Sequence, residues 1–312
     1  MVGDLRERVR EKFGLKAKKL FSFSAISDFT SCPKKYEFGR VRNLVPKIST
    51  PALTLGSAGH RFVETLDRTQ SVPGAISDYR TQIESYVAMY TKIKGEEPKG
   101  FREKAVGLEG VLVTYANLFS QPDREQYVID PNMVELELGF DLNVRYGIVA
   151  RLDGVRTKRM DQSWYLWENK FLSGFDEDAN MLVMDYQLST YFLGLRLAYG
   201  INAERGVYNV VRKPQLRLKK DETLEAFEER CREASAQEPD KYFMRSDVFR
   251  SDEQLADTRT YLLQLCAMAD TLHYRWRNVS SECTWKCPFF SICPTEDPEL
   301  MSKEYDVRNR GA

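Results

Sequence analysis

The stretch WYLWENKFL, residues 164–172, is short, mostly apolar and rich in aromatic residues, with Glu168 and Lys170 near its end. Such a composition is typical of a β-strand. Because side chains alternate across a strand, the Glu-Asn-Lys spacing puts Glu168 and Lys170 on the same face. The sequence therefore predicts a strand that presents a carboxylate and an ammonium group side by side.

Two further strand patterns precede this stretch. VELELGFDLNV (134–144) alternates apolar and polar residues, and YGIVARLDGVR (146–156) carries Asp153. Polar or turn residues separate the three segments, which predicts an antiparallel meander. A hairpin between the second and third strands would bring the carboxylate of Asp153 beside that of Glu168. Two carboxylates at that place would form an oxygen-rich site.

Helical patterns surround the meander on both sides. An amphipathic helix is expected over residues 4–20, and Ser22 or Ser24 is expected to cap the helix that follows it. The order of helices, meander, helix and strand predicts an α/β fold. The other predicted helices cover 51–68, about 75–93, 103–119, roughly 182–199, 222–235 and 252–274, and one more strand covers 206–212.

The bulk composition is that of a protein with a sizeable core and no overall charge. Of 312 residues 42% are hydrophobic, and 46 basic residues balance 46 acidic ones. A nucleic-acid partner must therefore be met by local basic groups. Arg212, Lys213 and Arg245 are candidates for phosphate contacts, but solvated charge is the favoured interpretation of all three.

The sequence lacks the patterns of a membrane span, a signal peptide and an ATP-binding phosphate loop. No stretch approaches the ~18 uninterrupted apolar residues of a membrane span, and the first residues lack a signal-peptide pattern. We therefore expect a cytoplasmic protein without a membrane partner. A Walker phosphate loop is also missing from the sequence, so any helicase motor would be a partner protein.

Glu-x-Lys by itself is a weak signal. Glu97-Pro98-Lys99 has the same spacing but lies in a Gly/Pro-containing loop pattern. In isolation, Glu168 and Lys170 would more often form a surface ion pair across strands than a reactive site. The nearby Asp153 is what changes this interpretation.

A pair of carboxylates suits Mg²⁺ or Mn²⁺, which accept oxygen ligands and bind substrate phosphate. Such an ion stabilises charge and lowers the pKa of a bound water, and an adjacent lysine can orient that water, as phosphodiester hydrolysis requires. Glu135 and Glu137 alternate on the first strand and are expected on a solvated face, from which either could add charge near the metal.

Three more side chains are candidates for this site. His60 shares a helix face with Glu64, and an imidazole is a competent metal ligand, although a lone histidine is usually structural. Gln187 and Tyr191 are four residues apart on the helix after the Glu-Asn-Lys strand, so both can point from one face. From spacing alone, that pair is better explained as a helix surface.

Taken together, these segments resemble the successive motifs of RecB-like nucleases in the PD-(D/E)XK superfamily, over about residues 20–295. The resemblance implies that the histidine, aspartate and glutamate bind the metal. It also implies that the lysine assists the attacking water, and that the glutamine and tyrosine act near the substrate strand. The matching segments are Gly56-x-x-x-His60, Asp153, Glu168-Asn169-Lys170 and Gln187-x-x-x-Tyr191.

The same resemblance implies a fold and an activity. The fold is a restriction-endonuclease-like mixed central sheet flanked by helices, in a single nuclease domain over residues 1–312. The activity is that of a Mg²⁺- or Mn²⁺-dependent deoxyribonuclease, an exonuclease on single-stranded DNA ends, of prokaryotic or bacteriophage type. The alternative is a catalytically inactive nucleic-acid-binding or scaffolding module of a recombination or repair complex.

Four cysteines form a second predicted site. Cys283, Cys287 and Cys293 cluster near the C-terminus and Cys32 stands alone near the N-terminus. Four thiolates can hold a [4Fe–4S] cluster, and structural Zn²⁺ is the alternative. The pattern resembles the iron-sulfur branch of this nuclease group, which includes the CRISPR-adaptation nucleases and AddB subunits.

By this resemblance, residues 20–40 and 276–296 together form the iron-sulfur subregion and join the two ends of the chain. Cys231 and Cys266 fall among apolar residues at helical spacing and are expected to be buried small hydrophobes. Trp285, Phe289 and Phe290 lie between or beside the candidate ligands, where we expect them to shield a cluster from water.

Overall fold

A central mixed β-sheet organises the chain in the computed structural model, which describes residues 5–174 and 179–308. Its hydrogen-bonded order is β1-β5-β6-β7-β8, and β3 and β4 also pair with β5. The strands are β1 (Lys19–Ser22), β3 (Tyr127–Val128), β4 (Val134–Asp141), β5 (Tyr146–Lys158), β6 (Trp164–Leu172), β7 (Arg205–Arg212) and β8 (Phe243–Phe249), and a separate antiparallel pair joins β2 (Leu44–Pro46) to β9 (Tyr305–Val307).

Helices flank this sheet and pack on it through two large apolar clusters. One cluster lies between the sheet and α2, α7 and α9, and the other lies under α4, α5 and α6. No helix within the described residues is long and apolar enough to cross a membrane. The helices are α1 (Leu5–Phe13), α2 (Phe23–Ser31), α3 (Pro33–Tyr36), α4 (Pro51–Thr69), α5 (Val72–Lys94), α6 (Phe101–Gln126), α7 (Tyr186–Tyr199), α8 (Leu224–Gln237), α9 (Asp252–Thr271) and α10 (Pro298–Glu304).

The predicted meander and α/β class are confirmed. β4 and β6 both pair with β5 in antiparallel orientation, whereas β6 and β7 are parallel. A parallel pair needs a crossover connection, and α7 supplies it. The helix α7 packs on β4 through one apolar cluster, and α4 packs on β6 through the other.

The close approach of α4 to β6 depends on a glycine. A Cβ atom added to Gly59 would lie 2.6 Å from the ring of Phe171, a distance that real Cβ atoms do not show. Gly59 therefore lets the helix backbone rest directly on the strand. The next residue on α4 is His60, so this contact fixes the height of its ring above the sheet.

Some predicted boundaries were wrong. The helix expected over 4–20, whose first residue lies outside the described part, ends at Phe13, and the chain then forms the strand β1 parallel to β5. Ser22 rather than Ser24 caps α2 through a hydrogen bond from the Ala25 backbone. The helix expected from 182 begins at Tyr186, after a 3-10 turn.

Candidate active site and thiol cavity

His60 and Asp153 meet where α4 crosses β5. The Nδ1 atom of His60 lies 3.3 Å from Oδ1 of Asp153. The other oxygen, Oδ2, accepts a hydrogen bond of 2.6 Å from the backbone N–H of Asn169 on β6. Asp153 is therefore oriented by the neighbouring strand, with one oxygen turned towards the imidazole.

Glu135 completes a group of three candidate ligands. One ligand atom from each of His60, Glu135 and Asp153 lies within 4.8 Å of the other two. On β4, Glu135 stands between the pairs Val134↔Gly154 and Leu136↔Leu152, which puts it opposite Asp153. Its φ of 52° is unusual for a residue with a side chain, so the backbone is held in the left-handed region at this point.

The expectation that Glu135 lies on a solvated face was therefore incomplete. Its side chain is only 20% exposed and lies 3.5 Å from Arg151. Burial, followed by the charge of Asp153, raises the pKa of Glu135. The signal in the sequence was the acid on β4 placed across a hairpin from Asp153, but strand alternation alone could not distinguish it from Glu137.

Glu168 and Lys170 share a face of β6, as predicted, but they are not a surface pair. The Lys170 Nζ atom lies 2.5 Å from Oε1 of Glu168, and the Glu168 side chain is only 4% exposed. The second oxygen, Oε2, is buried and has no hydrogen-bond partner among the described atoms. Glu168 stands outside the group formed by His60, Glu135 and Asp153, with one oxygen unsatisfied.

Gln187 and Tyr191 extend this arrangement from α7. Oε1 of Gln187 accepts a hydrogen bond of 3.1 Å from Nζ of Lys170, and its Nε2 donates to the hydroxyl of Tyr191 at 2.9 Å. The side chains therefore form one connected chain from Glu168 to Tyr191. The interpretation of the pair as a helix surface was wrong, because Tyr191 is buried.

The electrostatics reflect acids crowded in a buried place. Burial, followed by the nearby charge of Asp153, raises the pKa of Glu168 to about 7. Burial lowers the pKa of His60, but Asp153 outweighs this and the net shift is upward. The pKa of Lys170 is also raised on balance, because Glu168 outweighs burial. The site therefore carries excess negative charge that a cation would relieve.

A buried polar network supports β6 from behind. Asn169, between the two reactive candidates, accepts a hydrogen bond of 2.7 Å from Asn209, which in turn accepts one of 3.0 Å from Arg245. Arg245 pairs with Asp123, and Asp123 pairs at 2.9 Å with the fully buried Arg156. The network ties the Glu-Asn-Lys segment to β7, β8 and α6.

This network corrects the expectation for Arg245, whose guanidinium is neither solvated nor turned to a substrate. The other two candidates for solvated charge donate to backbone carbonyls. Arg212 bonds the carbonyl of Ser173 at 3.1 Å, and Lys213 bonds that of Ala52 at 3.3 Å. These contacts serve the fold around β7.

The four predicted cysteines line one cavity of about 390 Å³. All four are free thiols of intermediate exposure. The Sγ atom of Cys32 accepts a contact of 3.5 Å from the backbone N–H of Asn278, and Sγ of Cys283 accepts one of 3.5 Å from that of Ser280. Residues 250 positions apart in the sequence therefore converge, together with Cys287 and Cys293.

The aromatic residues around this cavity differ in role. Phe289 is buried and its ring centroid lies 5.5 Å from that of Phe38, and both line the cavity with Phe290. Trp285 is 70% exposed and is not among the lining residues, so its predicted shielding role was wrong. The predicted burial of Cys231 and Cys266 is confirmed.

Comparison with known proteins identifies a family. A model of the PD-(D/E)XK nuclease superfamily matches residues 20–294. Comparison with curated proteins finds no match. Among solved structures, a protein from Eubacterium rectale described as a candidate exonuclease is similar at a TM-score of 0.48 and 10% identity, over 91% of this chain and 92% of that one. A likeness this distant bears on neither chemistry nor substrate.

Proposed function

Because the chain belongs to the PD-(D/E)XK nuclease superfamily, we propose that it is a Mg²⁺- or Mn²⁺-dependent deoxyribonuclease that acts as an exonuclease on single-stranded DNA ends. The observation that carries this proposal is the group of His60, Glu135 and Asp153 beside a buried carboxylate oxygen of Glu168 that has no hydrogen-bond partner within the described residues. The preference for single strands and ends rests on the resemblance to RecB-like nucleases. The proposal takes residues 1–312 as one nuclease domain.

The donor set fits a divalent cation. Two carboxylates and an imidazole suit Mn²⁺ well. Mg²⁺ prefers oxygen ligands, and the two carboxylates supply them. In this proposal His60, Glu135 and Asp153 hold the ion, and Glu168 adds a buried carboxylate close to them. A bound ion would supply positive charge for the phosphate and lower the pKa of a water.

The remaining side chains act on the substrate directly. The ammonium group of Lys170 donates to both Glu168 and Gln187, so its position is fixed before any substrate binds. We assign it the orientation of the attacking water and neutralisation of the phosphate. Gln187 and Tyr191 would lie along the substrate strand, with Tyr191 kept neutral because burial raises its pKa well above the usual value.

We also propose that Cys32, Cys283, Cys287 and Cys293 hold a [4Fe–4S] cluster that joins residues 20–40 to residues 276–296. A tetrahedral zinc site with bonds of about 2.3 Å needs sulfur atoms about 3.8 Å apart. Within the described residues, the group of His60, Glu135 and Asp153 is the only one whose ligand atoms converge within 4.8 Å. The thiols instead line a cavity. A cavity of this kind favours an iron-sulfur cluster, which is larger than a single zinc ion.

The test is cleavage of end-labelled single- and double-stranded DNA with Mn²⁺ by the wild type, by Glu168→Ala and by Glu97→Ala. Glu97 is the matched control, because it has the same Glu-x-Lys spacing on an exposed loop. We expect the wild type and Glu97→Ala to cleave single-stranded DNA and to release nucleotides from its ends. Glu168→Ala should not cleave it. A wild-type protein that binds DNA without metal-dependent cleavage would refute the proposal and favour a scaffolding module.

A further inference from the structure

A groove with strong local positive charge lies between α1, β1 and the end of α9. It encloses about 530 Å³, and six basic side chains and two acidic ones are among the residues that line it. We name it the basic groove, defined by Arg6, Arg10, Lys18, Lys19, Arg40 and Arg275 with Glu7 and Asp270. The chain as a whole has equal numbers of acidic and basic residues, so the excess of basic residues in this groove is a local feature.

We propose that the basic groove binds the phosphate backbone of single-stranded DNA away from the point of cleavage. This inference rests on the proposed function, because it concerns the same substrate strand. Regularly spaced phosphates are the ligand that several separated cations in one groove would attract most strongly.

Carboxylates neutralise part of this charge, since Asp28 also pairs with Arg40, whereas Arg10, Lys18 and Arg275 form no ion pair within the described residues. Asp270 is nearly buried, and Lys19 and Arg145 both pair with it. Arg10 donates instead to backbone carbonyls, at 2.6 Å to that of Ala17, which fixes the guanidinium without a carboxylate. Lys18 is exposed at the mouth of the groove.

Arg275 provides a donor without a partner. Its Nε atom is buried and has no hydrogen-bond partner in the described residues. Its guanidinium lies 5.9 Å from the ring centre of Tyr36, which also lines the groove. A buried donor left unpaired is unfavourable, and a phosphate oxygen in the groove would satisfy it.

The segment that carries Arg275 alternates aromatic and basic residues, His-Tyr-Arg-Trp-Arg over 273–277. Tyr274 is 76% exposed and Trp276 is 41% exposed, on either side of Arg275. Exposed rings beside cations are the arrangement on which unpaired bases stack. This observation favours a single strand over a duplex, a free anion or an acidic protein segment.

The groove lies on a path to the candidate active site. Lys19 pairs with Tyr146 at the start of β5, and Asp153 follows seven residues later on that strand. At about 3.3 Å per residue the separation is about 23 Å, which is roughly seven nucleotide steps at the ~3.4 Å rise of stacked helical DNA and fewer steps for an extended single strand. The helix α1 spans part of this distance, because its Arg8 pairs with Glu137, which stands opposite Arg151.

The separation predicts a dependence on strand length. An oligothymidylate of 3 nucleotides is too short to reach from the active site to the groove, whereas one of 20 nucleotides reaches both. We would measure binding of both by fluorescence anisotropy in EDTA, and hydrolysis of both with Mn²⁺, for the full chain. The variant is Lys18→Gln with Arg275→Gln, and the control is Lys92→Gln with Lys94→Gln, two exposed lysines at the end of α5.

We expect the groove variant to bind the 20-mer about tenfold more weakly than the wild type. The slope of log K against log salt concentration should become smaller in magnitude by about 1.4, which corresponds to two lost phosphate contacts. Its hydrolysis of the 3-mer and its melting temperature should equal those of the wild type. The inference would be overturned if the groove variant bound the 20-mer as well as the wild type, or if it lost the same fraction of binding for both lengths. It would also be overturned if polyglutamate competed for the groove as well as the unlabelled 20-mer does. Binding in EDTA needs no cleavage, so a protein that binds the 20-mer through the groove and never cuts would refute only the nuclease proposal.

Discussion

The oxygen-rich site and the thiol cavity gather residues from distant parts of the chain in different ways. At the oxygen-rich site, Glu135, Asp153 and Glu168 all lie on strands whose register is fixed by hydrogen bonds. At the thiol cavity, the candidate ligands lie on loops and short turns at the two ends of the chain. Sheet pairing therefore holds the first site, whereas the second is joined by the ion pairs of Lys34 and Arg42 with Glu296 and by the pairing of β2 with β9.

The two regions are nevertheless in contact. Tyr186, next to Gln187 on α7, stacks on Tyr261 of α9 with ring centroids 3.8 Å apart. Tyr261 in turn lies beside Thr30 of α2, two residues before Cys32. A change at the cavity should therefore reach the oxygen-rich site only weakly, through packing.

The largest expected effect is at the oxygen-rich site. Asp153→Asn should lower cleavage about a thousandfold, because it removes a charge needed to hold the cation, whereas the thiol cavity should be unaffected. Asp161→Asn, on the turn between the same two strands, is the matched control and should cleave normally. Retained cleavage in Asp153→Asn would break the proposed division between the two regions.

At the thiol cavity, Cys287→Ala should bleach the brown colour of anaerobically purified protein and destabilise it by roughly 2–5 kcal/mol, a range borrowed from the loss of covalent links that close long loops. Cleavage by the fraction that remains folded should fall much less than in Asp153→Asn. Visible absorption, iron analysis and thermal melting would check this result. Cys231→Ala, which removes a buried thiol outside the cavity, should keep the colour; a colourless wild type containing zinc would contradict the cluster.

A smaller effect is expected for Glu135→Gln. Removing one of the candidate ligand charges should weaken Mn²⁺ binding about tenfold, by analogy with losses at ligand-supporting positions. Isothermal titration would measure the dissociation constant, with Glu137→Gln, two residues along the same strand, as the control. Equal affinities for the two variants would remove Glu135 from the site.

The smallest effect concerns the stability of metal-free protein. Burial raises the pKa of Glu168 to about 7, so the folded state keeps a proton that the unfolded state releases. The resulting contribution to stability is present below the unfolded pKa of about 4.3 and is lost as pH rises through about 7.

Glu168→Gln should therefore raise the melting temperature by a few degrees at pH 8 and by less at pH 5. Scanning calorimetry of both proteins in EDTA at the two pH values would measure this difference. A melting temperature at pH 8 that falls in the variant would mean that the carboxylate stabilises the fold, contrary to the pKa shift.

The sequence predicted what local patterns determine. The strands β4 to β6 and the helix α4 have clear periodicity and clear boundaries, and the residues His60, Asp153, Glu168 and Lys170 lie on them. The hairpins between the strands then bring three of these side chains together without further information. The contacts that connect Glu168 to Tyr191 were not predicted from spacing, which favoured a helix surface for Gln187 and Tyr191 on α7.

Non-local pairing explains what the sequence did not predict. β1 forms a strand because it pairs with β5, more than 120 residues away, and its own four residues carry no clear signal. Arg245 looked like solvated charge because its partner Asp123 lies 122 residues earlier in the chain. The alternation of β4 likewise indicated a solvated face for Glu135 and could not reveal His60 near it.

The most direct test of the oxygen-rich site is the position of Mn²⁺ in crystals of the protein grown with that ion. An anomalous difference map should contain a strong peak about 2.2 Å from a carboxylate oxygen of Asp153, with Nδ1 or Nε2 of His60 beside it. Crystals of active protein with no manganese at Asp153 would contradict the account.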